Sequence, residues 1–328
     1  MAEKIGRLGY LGLAIEATAG TPESTPDIFV PFTENSLRGH HEPLMDNSSH
    51  TSRVKDFTSV AGTRWGEGQV TMYLDSLNAG YLLKLAFGAE ARTQLNSSPP
   101  VHDHLFYPTV SGNNATSATL WDNKGVDAEQ YAYAVIDSCE VVVSNDGIAT
   151  ISANFMSKAP ATVSAPALTV ASGTLYTWKD MGARFGSTVA GARAASATKL
   201  TNLQFTVANN VELNYKSGSN QPDTITTGPL EVTGQYTLFF ENVTDRDAYY
   251  NLTKRALVVT LTGAGLGTGG YTEQLEFVFK KFSLEDMDME TGLDDLFAIT
   301  GSFREEWDQA QAGYVESTAR NGKASDYS

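Results

Sequence analysis

The chain has 328 residues and a single cysteine, Cys139. No intrachain disulfide can form, which excludes a disulfide-stapled secreted scaffold and fits a reducing compartment. Basic residues are also scarce: 23 Lys+Arg stand against 38 Asp+Glu, a net charge of -15. A nucleic-acid binder needs a basic surface to release counterions from phosphates, so this balance argues against one. It does not argue against a surface that must avoid sticking to nucleic acid. No run of about 20 apolar residues occurs, so no transmembrane helix is expected. The opening "MAEKIGRLGYLGLAIEATAG" places Lys4 and Arg7 before an apolar stretch. Gly9, Gly12 and Glu16 interrupt that stretch, and it reads poorly as a signal peptide.

Catalytic and cofactor chemistry is missing as well. "GLGTGG" (Gly265 to Gly270) matches G-x-G-x-x-G, but a dinucleotide site needs a helix after it to hold the pyrophosphate. The following "YTEQLEFVFKKF" alternates Leu275, Phe277 and Phe279 as a strand does, so the glycines read as a loop between strands. "HDH" (His102 to His104) offers two imidazoles, yet zinc needs a further ligand, and none stands out among His40, His41 and His50. It reads as an exposed loop after "NSSPP". "EDMDMETGLDD" (Glu285 to Asp295) is rich in acids, but read as an EF-hand it has Thr291 where glycine is needed and Phe297 where glutamate is needed. It reads as a solvated hairpin tip. There is no G-x-S-x-G elbow, and Cys139 sits inside an apolar strand rather than in an activating environment. No catalytic residue, cofactor or metal is expected, and the chain does not read as an enzyme.

What the chain does contain is a repeat. "GQVTMYLDS" (Gly68 to Ser76) returns as "GQYTLFFEN" (Gly234 to Asn242) at an offset of 166. The offset carries Gln69 and Thr71 onto Gln235 and Thr237, and it extends back through Gly62 and Gly228 to Leu37 and Leu203. A second echo pairs "IATISANF" (Ile148 to Phe155) with "LFAITGSF" (Leu296 to Phe303). Repeats this long exceed a solenoid unit and fit whole domains. The expected division is residues 1–162, with an N-terminal arm, and 163–328, with a polar C-terminal tail. The boundary falls in the Pro- and Ala-rich linker "SKAPATVSAPAL".

Both halves read as β, because apolar and polar residues alternate between turn signals. "CEVVVSNDGIATISANF" reads as a hairpin closed by a type I′ Asp-Gly turn. Each half has one helix candidate, placed after the repeated strand. In "DSLNAGYLLKLAFG" Leu77, Tyr81 and Leu85 share a face, and in "NVTDRDAYYNLTKRAL" Thr244 and Asp247 resemble a capping box. Two polar stretches, Asp46 to Ser59 and Asn214 to Gly228, read as long loops of matching position, the kind usually kept for a use.

"LGLAIEATAGTPESTPDIFVPFTENSL", with E-x-x-x-G-T before an apolar F-V-P-F strand, and "GTRWGEGQVTMYLDSLNAGYLLKLAFGA" together resemble the tail tube (major tail) proteins of long-tailed, non-contractile bacteriophages. The resemblance spans most of the first copy and reaches the second through the repeat. It implies a mainly β chain of two tandem, duplicated β-sandwich or barrel-like domains, each flanked by one short α-helix. It implies a structural virion protein whose subunits close into rings, stacked as a hollow tail tube assembled in the host bacterial cytoplasm. Expected partners are the chain itself, as a homo-trimeric pseudo-six-fold ring or a homo-hexamer, the tape-measure protein, and the tail-tip and tail-terminator proteins. DNA passes through the lumen without specific binding, and no membrane is involved. In that setting the paired loops become ring-to-ring contacts, with Asn47, His50, Arg53, Lys55, Lys216, Asn220 and Asp223 as candidates. Gln69, Thr71, Gln235 and Thr237 mark the repeated wall strand. The rival reading is a tandem β-sandwich carbohydrate-binding or adhesive module, which would need a platform among Trp65, Trp121, Trp178 and Trp307.

Overall fold

The computed structural model describes residues 6–327 apart from 113–114, 172, 241–242, 268 and 291–296. The chain is mainly β, with large antiparallel sheets. The repeated segments lie at the centre of one continuous sheet that runs through both halves. In the first half, strand Arg64–Tyr73 lies between the short strands Phe32–Asn35 and Arg38–His41 on one side and Thr150–Ser157 on the other, which in turn pairs with Ala128–Ser144. In the second half, Glu231–Phe239 lies between Leu200–Ala208 and Ala298–Glu305, which pairs with Thr272–Glu290. The halves join edge to edge, Ser138 to Ser144 pairing antiparallel with Asn202 to Ala208.

The two halves repeat each other down to their irregularities. Gly68 faces Phe155 as Gly234 faces Phe303, and Thr71 faces Ser152 as Thr237 faces Thr300. A bulge between Ile136 and Ser138 recurs between Leu284 and Asp286, an offset of 284 − 136 = 148. A bulge between Phe32 and Glu34 recurs between Leu200 and Asn202, an offset of 200 − 32 = 168. Bulges bend a strand and re-aim its side chains. Here they let Ala128–Ser144 and Thr272–Glu290 leave the shared sheet and enter a second layer. That layer contains Tyr10–Ile15 and Ala118–Asn123 in the first half, and Met181–Gly186 and Arg255–Gly265 in the second. Between the layers lies a core of alternating apolar side chains such as Val70, Ile151, Val141, Phe205, Tyr236 and Phe303.

The ladders correct the sequence alignment in one place. Leu37 does not take the place of Leu203. Arg38 pairs with Glu67 as Thr206 pairs with Thr233, so Leu37 occupies the place of Phe205, two residues further on. The incoming strand is offset by 168 and the outgoing strand by 166, and the hairpin between them absorbs the difference. Gly62 and Gly228 remain equivalent. A Cβ on Gly62 would lie 2.0 Å from the Glu42 carbonyl oxygen, and one on Gly228 would lie 2.7 Å from that of Asn210. Both hairpin bases close so tightly that only glycine fits.

Helix α1 (Ala79–Phe87) and helix α3 (Thr244–Tyr250) follow the repeated strands. The capping box expected at the second does not form. Val243 holds the cap position, and the Asp247 carboxylate accepts from the Arg246 guanidinium, at 3.1 and 2.9 Å. The second half also carries a further helix, α2 (Val189–Ala194), whose Thr188 hydroxyl accepts from the Gly191 N–H. Six residues are too few to display a helical period, so the sequence reading missed it. In the Asn145-Asp146-Gly147 turn only Asp146 has positive φ, and the ladder stops at Val142 and Thr150, so a longer turn replaces type I′.

The segments near both ends of the described chain are built in. The expected N-terminal arm is largely strand Tyr10–Ile15, and the Glu16 carboxylate behind it accepts from Ser117, Thr119 and the N–H groups of Gly20 and Tyr133. The polar C-terminal tail becomes strand Glu316–Asn321, inserted between Thr272–Glu290 and Pro100–Pro108. Tyr327 is fully buried, packed on Tyr81, His104 and Phe106, with its hydroxyl donating to the Leu77 carbonyl. Gly80 makes the room, since a Cβ there would meet the Tyr327 ring at 2.2 Å. The linker is partly structured too: Ala161–Val163 pairs with Ala128 to Gln130.

Candidate assembly surface

The shared sheet has two faces of opposite character. Val70, Met72, Tyr236 and Leu238 point into the core, so Gln69, Thr71, Gln235 and Thr237 point the other way. All four wall-strand candidates therefore lie on one polar face. Thr71 Oγ1 lies 2.9 Å from Ser152 Oγ and Thr237 Oγ1 lies 3.0 Å from Thr300 Oγ1, the same cross-strand hydroxyl pair in each half. Neutral polar groups such as Asn154, Gln204 and Ser302 fill much of this face. Acids are interspersed, including Glu67, Glu140, Asp286 and Asp288. Gln204 Nε2 donates to Glu140 Oε1 at 2.5 Å across the junction of the halves.

The paired polar stretches are ribbons rather than open loops. Leu44–Asp46 pairs with Thr58–Val60, and Val211–Tyr215 pairs with Pro222–Thr227. Asn47, His50, Arg53 and Lys55 lie between the strands of the first ribbon, all exposed. There the Ser48 hydroxyl and N–H both donate to Asp46, and these bonds hold its carboxyl below the usual range. His50 stacks on Phe57, with ring centroids 3.9 Å apart. Lys216 and Asn220 lie in the turn of the second ribbon, whereas Asp223 belongs to a strand and pairs with Lys216.

The two ribbons differ in what they touch. The second lies back on the first half: the Asn220 carbonyl accepts from Arg64 N–H at 2.7 Å, Val211 N–H donates to Asp137 Oδ1 at 2.8 Å, and Tyr133 Oη donates to the Ile225 carbonyl at 3.3 Å. Ile225 is buried by this contact. The first ribbon exposes Leu44, Val54, Phe57 and Val60.

Other sequence candidates take structural roles. His102 and His104 are buried in strand Pro100–Pro108, not in an exposed loop. His104 Nδ1 lies 2.8 Å from Glu90 Oε1, and its Nε2 lies 3.0 Å from the Lys323 carbonyl oxygen. Burial pushes the His102 pKa down. Among the described residues no cluster of three or more His, Cys, Asp or Glu could hold a metal. Cys139 is buried and its thiol is pushed up to about 12 by desolvation, which leaves it inert at neutral pH. Gly265 ends strand Arg255–Gly265 and Gly267 lies in the connection to strand Thr272–Glu290, so a strand and not a helix follows. The acidic stretch begins as strand, and its residues 291–295 lie outside the described residues. Among the tryptophans, Trp121 is buried and Trp65 stacks on His40, whereas Trp178 and Trp307 are exposed. No described helix is long and apolar enough to cross a membrane.

No curated protein matches the chain significantly. The model of one family, described as phage tail tube protein, matches residues 6–301. That match runs through both copies of the wall strand, and the chain belongs to the phage tail tube protein family.

Proposed function

We propose that this chain closes into rings that stack as the hollow tube of a phage tail, through which DNA passes. Family membership supports a structural, non-enzymatic tail component that assembles with itself. The observation that carries the finer reading is the sheet itself. The same four-strand unit stands twice, side by side, with the same bulges and the same hydroxyl pairs. We read this as a duplicated domain with its boundary near 162/163. Three chains then supply six wall positions, a homo-trimeric ring with pseudo-six-fold symmetry, and heterologous contacts that repeat in this way close into rings.

The polar face of the sheet becomes the lumen wall. Its neutral amides and hydroxyls offer weak contacts, and its acids repel phosphates, so DNA slides without being held. A tape-measure protein occupies the same lumen before the DNA, and tail-tip and tail-terminator proteins close the two ends. Assembly takes place in the host bacterial cytoplasm. The turns carrying Asn47, His50, Arg53 and Lys55, and Lys216 and Asn220, with Asp223 beside them, touch the next ring.

Electron microscopy of concentrated protein, with mass measurement of single rings, tests this. Hollow tubes whose rings contain three chains are expected. Six chains per ring would remove the trimer, and particles without a lumen would remove the tube. Deleting Asn47 to Lys55 is expected to leave a folded chain that cannot form tubes, and normal tubes from that deletion would remove these contacts.

A further inference from the structure

The junction between the halves is a template for the junction between chains. In the template, Ser138 to Ser144 pairs with Asn202 to Ala208. The counterpart of the first strand lies at an offset of 148, because Cys139 faces Ala153 as Met287 faces Gly301. The counterpart of the second lies 168 residues earlier, because Asn202 faces Thr237 as Glu34 faces Thr71. Among the described residues, neither counterpart has a strand on its outer side. Ser283 to Glu290 pairs only with Ala298–Glu305, and Phe32–Asn35 and Arg38–His41 pair only with Arg64–Tyr73.

Local groups cap backbone on both edges. Met287 N–H donates to Asp286 Oδ1 at 2.9 Å. Leu37 N–H donates to Asn35 Oδ1 at 3.0 Å, and its carbonyl accepts from Lys124 Nζ at 2.9 Å. Side chains of this kind blunt an open edge until a partner replaces them.

We infer that the edge Glu285 to Glu290 of one chain pairs antiparallel with the edge Ser36 to His41 of a second copy, with Asp288 opposite Arg38. The register follows by transposition: Glu140 faces Thr206, so 140 + 148 = 288 faces 206 − 168 = 38. By the same rule Met289 faces Leu37, where the template has Val141 against Phe205, and Asp286 faces His40. Two features of the edges suit this register. Asp288 and Arg38 carry opposite charges and are both exposed, whereas the template has an acid against a neutral threonine. Met289 is 42% exposed, while its template counterpart Val141 is buried.

The ribbons supply an independent second observation. The ribbon Val211–Thr227 reaches back over the first copy of its own chain. The ribbon Leu44–Val60 occupies the same place in a copy that has no predecessor, and its apolar side chains lie bare. The second copy of the adjoining chain is the surface it fits, on the same side of the same junction.

This inference rests on the ring reading, and its test separates the two. Chains carrying Arg38→Cys and chains carrying Asp288→Cys are mixed and oxidised, with Cys139 left buried. Opposed residues in an antiparallel pair bring Cβ atoms within disulfide reach. About ten-fold more disulfide dimer is expected from this mixture than from Asp288→Cys with His41→Cys, which faces the other way. The double variant Arg38→Cys/Asp288→Cys is expected to give a ladder ending at the closed ring. In parallel, Arg38→Glu is expected to abolish assembly, and adding Asp288→Arg to restore it. Rings or tubes from wild-type chains without the register-specific disulfide, or undiminished by Arg38→Glu, would overturn the pairing and leave the tube standing. A wild-type chain that stays monomeric at high concentration and gives no cross-link would overturn both.

Discussion

The first and second copies differ most where they meet their surroundings. The incoming strand of the second copy, Leu200–Ala208, is paired on both sides; that of the first, Phe32 to His41, is paired on one. The second ribbon is laid down, and the first is bare. The first copy also inserts a hairpin, Gly88–Ser97 with Pro100–Pro108, between its helix and its next long strand. The second copy passes from α3 to Arg255–Gly265 with only a short connection. The common parts are the four strands of the shared sheet, and the differing parts are those that take or lack a neighbour.

The two helices are anchored differently, and this gives the largest predicted effect. Helix α1 is locked by Tyr327 from the far end of the chain. Helix α3 is locked by a partly buried ion pair of Asp245 with Arg255, which also covers Phe185. Tyr327→Ala removes a fully buried ring and is expected to cost about 3–5 kcal/mol in urea unfolding. A loss under about 1 kcal/mol would mean that the C-terminal segment is an ornament.

The equivalent glycines Gly68 and Gly234 sharpen the comparison. A Cβ on Gly68 would meet the backbone of Leu37 and Ser36 at 2.6 Å, whereas one on Gly234 would first meet the end of the Phe303 ring at 2.4 Å. Backbone yields less than a ring that can tilt. Gly68→Ala is therefore expected to be the more damaging, within about 1–3 kcal/mol for each, and the reverse order by thermal melts would break the argument.

Glu305 has Ser157 as its counterpart in the first copy, at 305 − 148 = 157. Both are buried, but only Glu305 can ionise, and burial raises its pKa well above the ordinary value. A raised folded-state pKa means that its stability contribution is complete below the unfolded value and is lost as pH rises through the folded one. Glu305→Gln is expected to leave Tm unchanged near pH 4 and to raise it by about 2–4 °C at pH 8. A variant that follows the wild-type profile would remove Glu305 as the cause.

The smallest predicted effect is a test of equivalence. Thr71→Val and Thr237→Val each delete one side of a cross-strand hydroxyl pair. Each is expected to cost about 0.5–1 kcal/mol, and the two costs should agree by denaturant titration.

Much of the repeated sheet was legible in the sequence. Gln69 with Gln235 and Thr71 with Thr237 are written as a repeat, and period-two alternation told which side of the strand faces the core. The helices after these strands were legible in position but not in their ends, because Leu252 and Ala256 continue an apolar spacing that the chain spends on a turn and a strand. Helix α2 was too short to be periodic. His102 and His104 looked exposed beside "NSSPP", because nothing local announces that strand Glu316–Asn321 will cover them. Tyr327 looked like part of a tail for the same reason.

The sequence by itself determined the mainly β class, the inward face of the repeated strands, and the repeat of Gly68 to Ser76 in Gly234 to Asn242. Alternation and repetition are local properties that survive without knowledge of what packs where. Only the tertiary structure decided the register between the copies, the two-residue slip that puts Leu37 in the place of Phe205, and the burial of Tyr327. These depend on pairings between residues distant in the chain, such as Arg38 with Glu67, Glu140 with Thr206 and Thr318 with Leu105. Their energies come from shared burial and hydrogen bonding across the sheet, which no window of sequence contains.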